Sequence, residues 1–221
     1  QEYNSRGEYP EKIIRRLGGL GLFGMMVPES YGGSAAGAVS YSLALQEIAF
    51  SCASVAVTLS VTNLSTEPIL RFGTDEQKRK FLVPLASGEH VGAFALTEPE
   101  AGSDPSSLAT SAVKKGKSYI INGTKQFITN GRYAGIFILM ARTSPGKNGL
   151  TAFLVPAGTK GLVIGKDEKK MGLSASNTVS VFMEDCEVPE KNLLGKPGMG
   201  LEIALNALDS GDGAGVRIER Q

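Results

Sequence analysis

The stretch AFALTEPEAGSDPSS, residues 93–107, is the most informative part of the sequence for both fold and function. An apolar run, Ala93 to Leu96, is followed at once by a turn of small and polar residues. This pattern is typical of a buried strand that ends at the edge of a sheet. Such a turn exposes backbone N–H groups and hydroxyls that can approach a flat heteroaromatic ring or a phosphate. The residues alone leave open the alternative of an ordinary Gly-Ser-Asp turn.

Two acidic residues of this turn, Glu98 and Asp104, are candidate general bases. Carboxylates in turns more often cap the backbone or form ion pairs. The sequence leaves both interpretations open, because the partners of each carboxylate decide between them.

A second informative stretch is KQFITNG, residues 125–131. Phe127 and Thr129 are two residues apart, which predicts that they share one face of a strand. The aromatic ring offers a stacking plane and the threonine a hydroxyl, although Phe127 could instead be a core residue of the sheet. The following Asn-Gly pair predicts a hairpin.

The sequence before residue 90 has helical periodicity. Pro10 is at a favoured first position of a helix whose predicted apolar face is Ile13, Ile14, Leu17 and Leu20. Residues 25–37 indicate a loop, and the apolar segment 39–70 predicts two packed helices broken around Phe50–Ala53. A membrane segment is the alternative for 39–70, but Gln46, Glu47 and the many Ser and Thr residues argue against it. Thr74 and Gln77 predict a capping box that begins a helix with a buried side formed by Phe81, Leu82 and Leu85.

After residue 90 the pattern becomes strand-like, with short runs rich in Val, Ile, Phe and Thr. From Gly198 it becomes helical again, with a predicted face of Leu201, Ala204, Leu205 and Leu208. The expected fold class is therefore α+β: an N-terminal all-α domain followed by a middle antiparallel β domain. The expected boundaries are a helical domain at 1–91, a barrel-like β domain at 92–196 and the first part of a C-terminal helical domain at 197–221.

The amino-acid composition argues against several classes of function. The chain has 221 residues with 23 basic and 22 acidic side chains, a net charge of +1, so it gives no case for nucleic acid or an anionic membrane surface. Its two cysteines and one histidine predict no metal site and no Ser-His or Cys-His nucleophile. No apolar run reaches about 20 residues and no signal-peptide pattern opens the chain, and the few cysteines favour a reducing compartment.

The combination of ALTEPEAGSD and KQFITNG resembles the two flavin-contacting segments of the acyl-CoA dehydrogenases. The resemblance extends from about Glu8 to Gly211. It includes VPESYGG, LRFGTDEQKRKFLVPLASGE, KKMGLSASNTVSVFMEDCEVP and LLGKPGMGLEIALNALDSG. In detail the chain is most similar to the short-chain, butyryl-CoA type. In this family an N-terminal helical domain and a middle β domain hold FAD together with a C-terminal four-helix domain.

The resemblance implies a set of cofactor-binding residues: Phe94, Ala95, Leu96, Thr97, Gly102, Ser103, Phe127, Ile128 and Thr129. It implies that Thr97 and Thr129 hydrogen-bond the flavin ring and that backbone near Leu96 contacts its pyrimidine part. Ser103 is expected to face the pyrophosphate or the CoA. Phe127 is at a position where the family often has Trp, so an aromatic residue is retained.

The implied reaction is α,β-dehydrogenation of an acyl-CoA to the trans-2-enoyl-CoA, with electrons passed to an electron-transfer flavoprotein. Full-length relatives are homotetramers, and the implied location is the bacterial cytoplasm or the mitochondrial matrix. Two alternatives remain open: a truncated fragment that binds flavin or acyl-CoA without catalysis, and an acyl-CoA oxidase-type enzyme.

The resemblance also implies missing parts. The catalytic Glu of most members is expected beyond residue 221, and the position used by a minority of members is Gly211 here. Asp209 matches a residue that helps to bind CoA, but Asp212 is present where an Arg normally follows. Residues 212–221 have no likeness to the family and suggest a frame-shifted or cloning-derived tail. The C-terminal four-helix domain and the helix that usually precedes Gln1 are expected to be absent.

This interpretation predicts that the chain by itself associates or aggregates. Apolar helix faces that pack against a four-helix domain would be exposed to water, and this exposure costs a free energy of roughly 25 cal/mol for each Å² of apolar surface. Size-exclusion chromatography and thermal melting test the prediction, and a sharp monomeric peak with a cooperative melt contradicts it.

Overall fold

The computed structural model describes residues 2–212. Along the chain, a group of helices is followed by the strands of an eight-stranded sheet and then by a last helix. Short 3₁₀ turns join several of these elements. The helices are α1 (Glu2–Arg6), α2 (Glu11–Gly19), α3 (Gly37–Phe72), α4 (Asp75–Gln77), α5 (Val83–Ala86) and α6 (Gly200–Asp212).

Helix α2 begins directly after Pro10, close to the predicted start, but its predicted apolar face is only partly buried. Ile14 is buried and Leu17 half-buried, whereas Ile13 is exposed. Leu20 is 68% exposed because the helix ends at Gly19, so this side chain is no longer carried on the helical face. The prediction that these side chains form one buried face was therefore wrong for Ile13 and Leu20.

Helix α3 has the predicted break. Cys52 has an extended conformation, with φ −159° and ψ 101°, inside an otherwise helical segment. By length and composition alone, α3 could cross a membrane, as many core helices could. Its second half packs in the interior, where Thr58 and Thr62 donate to backbone carbonyls four residues earlier, at 3.2 and 2.9 Å.

The predicted capping box is present at α4. The Gln77 amide donates to Thr74 Oγ1 at 3.2 Å, and the Thr74 amide donates to Gln77 Oε1 at 3.0 Å. The Gln77 side chain also donates to the Lys191 and Leu193 carbonyls, which joins this helix to the end of the sheet. A π-helical turn, Lys78–Leu82, connects α4 to α5, and Phe81, Leu82 and Leu85 are buried as predicted.

The sheet has the order β6-β7-β3-β2-β4-β5-β8, with β1 paired to β4. Most pairings are antiparallel as predicted, but β1 and β2 both pair with β4 in parallel, so the sheet is mixed. The strands are β1 (Val91–Ala95), β2 (Ser111–Lys115), β3 (Ser118–Thr129), β4 (Ala134–Arg142), β5 (Leu150–Pro156), β6 (Leu162–Asp167), β7 (Thr178–Pro189) and β8 (Leu193–Leu194).

The Asn130-Gly131 pair does not form the predicted hairpin. Strand β3 pairs with β2 and β7, whereas β4 pairs with β1, β2 and β5, so β2 separates the two strands that the pair connects. The hairpin prediction failed because the Asn side chain forms tertiary hydrogen bonds, which a local turn motif does not reveal.

Helix α6 packs on α3 and β5 through Ile203, Ala204 and Ala207. Of the predicted apolar face, Ala204 is buried, Leu201 and Leu208 are half-buried, and Leu205 is 47% exposed. Ile203 contributes to the same apolar cluster as Ile69 and Leu154. The divergent tail from residue 213 onward lies outside the described residues.

Gly92 provides a direct test of how closely α3 packs on β1. A Cβ at this position would lie 2.5 Å from the Cβ of Ser65, which is too close for two carbon atoms. We expect Gly92→Ala to lower the free energy of unfolding by about 1–3 kcal/mol through overpacking. Urea denaturation measures the change. Gly172→Ala, where nothing lies within 4 Å, is the matched control, and equal effects of both variants contradict the prediction.

Candidate functional site

Two stretches, named here the first site segment (residues 93–107) and the second site segment (residues 125–131), lie side by side. The Gln126 amide donates to the Thr97 carbonyl at 2.8 Å. The Lys125 ammonium donates to the Leu96 carbonyl at 3.0 Å. These contacts join the end of β1 to β3, although Leu96 and Lys125 are 29 positions apart in sequence.

A β-bulge shapes the second site segment. Lys125 pairs with Val181 and Ile128 with Val179, so Gln126 and Phe127 together oppose one residue of β7. Phe127 has a positive φ of 58°, which is unusual for an aromatic residue, and its side chain is 58% exposed. The alternative that Phe127 packs in the core is therefore wrong.

The other residues of the predicted site differ in what they can offer. Phe94 and Leu96 are 9% exposed, and Ala95 and Ile128 at most 2%, so these four residues present little surface to a ligand. Thr97 and Thr129 are half-buried, whereas Gly102 and Ser103 are exposed in the turn. Thr129 is opposite Thr178 on β7. The hydrogen bond between Gln126 and Thr97 places Thr97 beside the bulge that presents Phe127.

Asp209 is exposed on α6. Within residues 2–212, no described hydrogen bond links it to either site segment. Its predicted role toward CoA therefore stays a prediction.

Glu98 and Lys125 form a buried ion pair at 2.7 Å. Burial lowers the pKa of Lys125 to about 8, against the opposing effect of the Glu98 charge. Burial also raises the pKa of Glu98, but the charge of Lys125 and hydrogen bonds from Lys125, Thr110 and Ala109 lower it by more. The pKa of Glu98 consequently lies below its usual value, so this carboxylate is a poor general base.

Asp104 is also a structural residue of the turn. Its Oδ1 accepts from the Ser106 amide at 3.0 Å and from the Ser106 hydroxyl at 2.6 Å. The Arg142 guanidinium donates to the Ser106 and Leu108 carbonyls at 2.7 and 2.9 Å. Ion pairing for Glu98 and turn capping for Asp104 are therefore the correct alternatives.

Asn130 is a residue of this region that the sequence reasoning missed. Its Nδ2 donates to the carbonyl of Thr58 on α3 at 3.1 Å and to that of Gly92 on β1 at 3.0 Å. The backbone N–H of Asn130 donates to the Asn177 carbonyl at 3.0 Å. The φ of Asn130 is 66°, and the available signal was that Asn tolerates this left-handed conformation better than most residues.

The arrangement fits a flat aromatic ring with hydrogen-bonding edges. The exposed Phe127 follows Gln126, whose amide donates to the Thr97 carbonyl, and Thr97 and Thr129 are each half-buried. Over the part of the chain that the structure describes, no group of three or more His, Cys, Asp or Glu residues could hold a metal ion.

Two family models match the chain: "Acyl-CoA dehydrogenase, N-terminal domain" over residues 1–89 and "Acyl-CoA dehydrogenase, middle domain" over residues 93–186. These matches agree with the observed order of a helical region followed by a β domain. The chain belongs to the acyl-CoA dehydrogenase family and contains its N-terminal and middle domains.

Individual relatives agree with this assignment. An acyl-CoA dehydrogenase of Bacillus subtilis is 51% identical over 207 residues, 92% of this chain and 55% of the relative. Butyryl-CoA dehydrogenase from Megasphaera elsdenii has a TM-score of 0.93 at 44% identity, over 96% of this chain and 57% of that one. The chain thus spans about half the length of the curated relatives it matches.

Two further solved structures bear on cofactor and partner. A Bacillus anthracis acyl-CoA dehydrogenase complexed with FAD has a TM-score of 0.87 at 38% identity, over 92% of this chain and 36% of that one. A chain in the structure described as the electron transferring flavoprotein of Acidaminococcus fermentans has a TM-score of 0.95 at 44% identity, over 96% of this chain and 57% of that one.

Asn130 provides a test of how the second site segment is held. We expect Asn130→Gly to lower the free energy of unfolding by about 1–3 kcal/mol, because it removes the amide hydrogen bonds but keeps the backbone conformation. Asn130→Ala is expected to cost about 1 kcal/mol more, because alanine disfavours a positive φ. Urea denaturation of both variants measures the difference, and an Ala variant as stable as the Gly variant contradicts it.

Proposed function

We propose that this chain is the FAD-binding half of a short-chain acyl-CoA dehydrogenase. The whole protein oxidises an acyl-CoA between its α and β carbons and passes the electrons to an electron-transfer flavoprotein. The observation that carries the proposal is the exposed ring of Phe127 at the crossing of the two site segments, beside Thr97. A phenyl ring that a β-bulge holds outside the core offers a stacking surface for a flat ring.

The residues present suit FAD. Phe127 would stack on the isoalloxazine ring, and the hydroxyls of Thr97 and Thr129 would hydrogen-bond it. Phe94, Ala95, Leu96 and Ile128 are buried, so their proposed role is to support the residues that would contact the ring. Gly102 and Ser103, in the exposed turn, contact the pyrophosphate or the CoA. When bound, FAD supplies a hydride acceptor for the hydrogen that leaves the β carbon.

A short acyl chain is supported by the likeness to butyryl-CoA dehydrogenase and by the short-chain-specific relatives. An electron-transfer flavoprotein as partner is supported by the match to a chain in such a flavoprotein's structure. Asp209 is proposed to contact the CoA part. Asp212, where the resemblance expects Arg, would repel the CoA phosphates and weaken that contact in this chain.

The catalytic base is proposed to lie outside these 221 residues. A base for the α carbon must be close to the substrate and shielded from water, which raises its pKa. Glu98 is bonded to Lys125 and two backbone amides, Asp104 is bonded to Ser106, and Glu100 is exposed to water, so none of the three acids of the first site segment fits this role. The chain is therefore expected to bind flavin without turning over substrate.

Anaerobic titration of the purified, FAD-supplemented chain with butyryl-CoA tests this proposal. We expect FAD fluorescence to be quenched on binding and the flavin absorption band to remain after substrate is added. Bleaching of the band contradicts the proposal that the base is absent. If the FAD signal never changes, the proposal of a flavin-binding half is wrong.

The stacking role of Phe127 has its own test. We expect Phe127→Ala to raise the FAD dissociation constant about tenfold, since stacking on an aromatic side chain is worth about 1–3 kcal/mol. Phe182→Ala, an exposed phenylalanine on β7, is the matched control and should leave the constant unchanged. Equal constants for both variants and the original chain exclude stacking on Phe127.

A further inference from the structure

The ion pair between Glu98 and Lys125 differs from the surface pairs of this protein. Its side chains are 6% and 0% exposed, whereas those of Lys114 and Glu190 are 47% exposed or more. Removing two charges from water costs more free energy than most such pairs return. Apolar side chains of similar volume would pack there with less loss, so the pair has to be explained by something other than stability.

The pair joins the backbone of the two site segments at several points. From the second site segment, Lys125 reaches across to the Leu96 carbonyl at 3.0 Å and to Glu98 Oε1 at 2.7 Å. Glu98 accepts from the amides of Ala109 and Thr110 at 2.7 and 3.1 Å. The neighbouring bond from Gln126 to the Thr97 carbonyl lies between these anchors. Together these bonds fix the place where the two site segments cross, next to Thr97 and Phe127.

We infer that Glu98 and Lys125 are positioning residues for the flavin edge, which hold Thr97, Phe127 and Thr129 in one preformed arrangement. This inference rests on the proposed function, because it names FAD as the ligand. Neither residue touches the ligand. Each acts through the backbone that carries the contacting groups, so that FAD meets an ordered surface and loses less free energy in ordering it.

Protonation of Lys125 gives the inference a specific consequence. The groups that face its ammonium are Glu98 and the Leu96 carbonyl, with Val181 opposite on β7. Glu98 is the one charged group among them within the described residues. With a pKa of about 8, Lys125 loses its charge between pH 7 and 9, and its charge-assisted bond to Glu98 weakens.

The contribution of Lys125 to the free energy of unfolding has the opposite dependence on pH over this range. The unfolded chain keeps Lys125 protonated up to its ordinary value of 10.5, so above pH 8 it binds more protons than the folded chain. Stability therefore rises with pH on account of this group. A loss of FAD affinity in the same range would not reflect loss of the fold.

The first experiment measures FAD binding by fluorescence at pH 7 and 9. We expect the dissociation constant to rise about tenfold, the factor by which the protonated fraction falls for a pKa near 8. The Lys125→Met variant should bind weakly at both pH values. A constant that does not change with pH in the original chain overturns the inference.

The second experiment separates positioning from stability. Lys125→Met and Glu98→Gln each leave one buried charge unpaired and should lower the melting temperature, whereas the double variant removes both charges and should recover it. We expect the double variant to keep a weakened FAD affinity, about tenfold. The surface variants Lys114→Met and Glu190→Gln are controls and should change neither property. Recovery of both properties in the double variant means a structural role alone and overturns the inference.

A ligand-free measurement keeps this test independent of the proposed function. Amide hydrogen exchange in the absence of FAD should be faster in the double variant over residues 94–104 and 125–131, and unchanged over α3. If these segments exchange faster but the original chain never binds FAD, the proposed function fails and the positioning of the crossing stands. Unchanged exchange in both segments overturns the inference directly.

Discussion

The buried ammonium of Lys125 is the constraint on which the rest of this site depends. A charge with no access to water must have all its partners inside the protein, and here they are Glu98 and the Leu96 carbonyl. To bring those partners to β3, the chain after β1 has to cross the end of that strand. The turn of residues 97–104 and the bulge at Phe127 lie on either side of this contact. An apolar residue at position 125 would leave both segments without this shared anchor.

A second constraint joins the helical region to the sheet. Because Gly92 has no side chain, Ser65 of α3 can pack directly against the backbone of β1. Asn130, which follows β3, donates hydrogen bonds to both of these elements. Helix, strand and site segment are therefore positioned by one small group of polar contacts rather than by apolar packing alone. The left-handed backbone of Asn130 directs its amide toward α3, so the same residue that ends β3 also fixes where Thr129 lies.

The sequence predicted features that depend on local chemistry and missed those that depend on distant partners. The capping box at Thr74 and the break at Cys52 are local, and both were found. The parallel pairing of β1 with β4 joins residues about forty positions apart, so periodicity gives no sign of it. Phe127 was recognised as a candidate stacking residue, but its exposure depends on a bulge against β7 that no local pattern indicates. The hydrogen bonds of Asn130 were missed because an Asn-Gly pair normally indicates a hairpin.

The distribution of charge explains why this half of the site suits binding better than proton transfer. Two of the three acids of the first site segment stabilise the segment itself: Glu98 pairs with Lys125, and Asp104 accepts hydrogen bonds from Ser106. The third, Glu100, is exposed to water. A general base needs the opposite environment, in which desolvation raises the pKa and no cation lowers it. Such shielding requires a second surface over the exposed edge, and the side of Phe127 that would face it is open. A base brought by that second surface would therefore be shielded by the same contact that places it against the substrate.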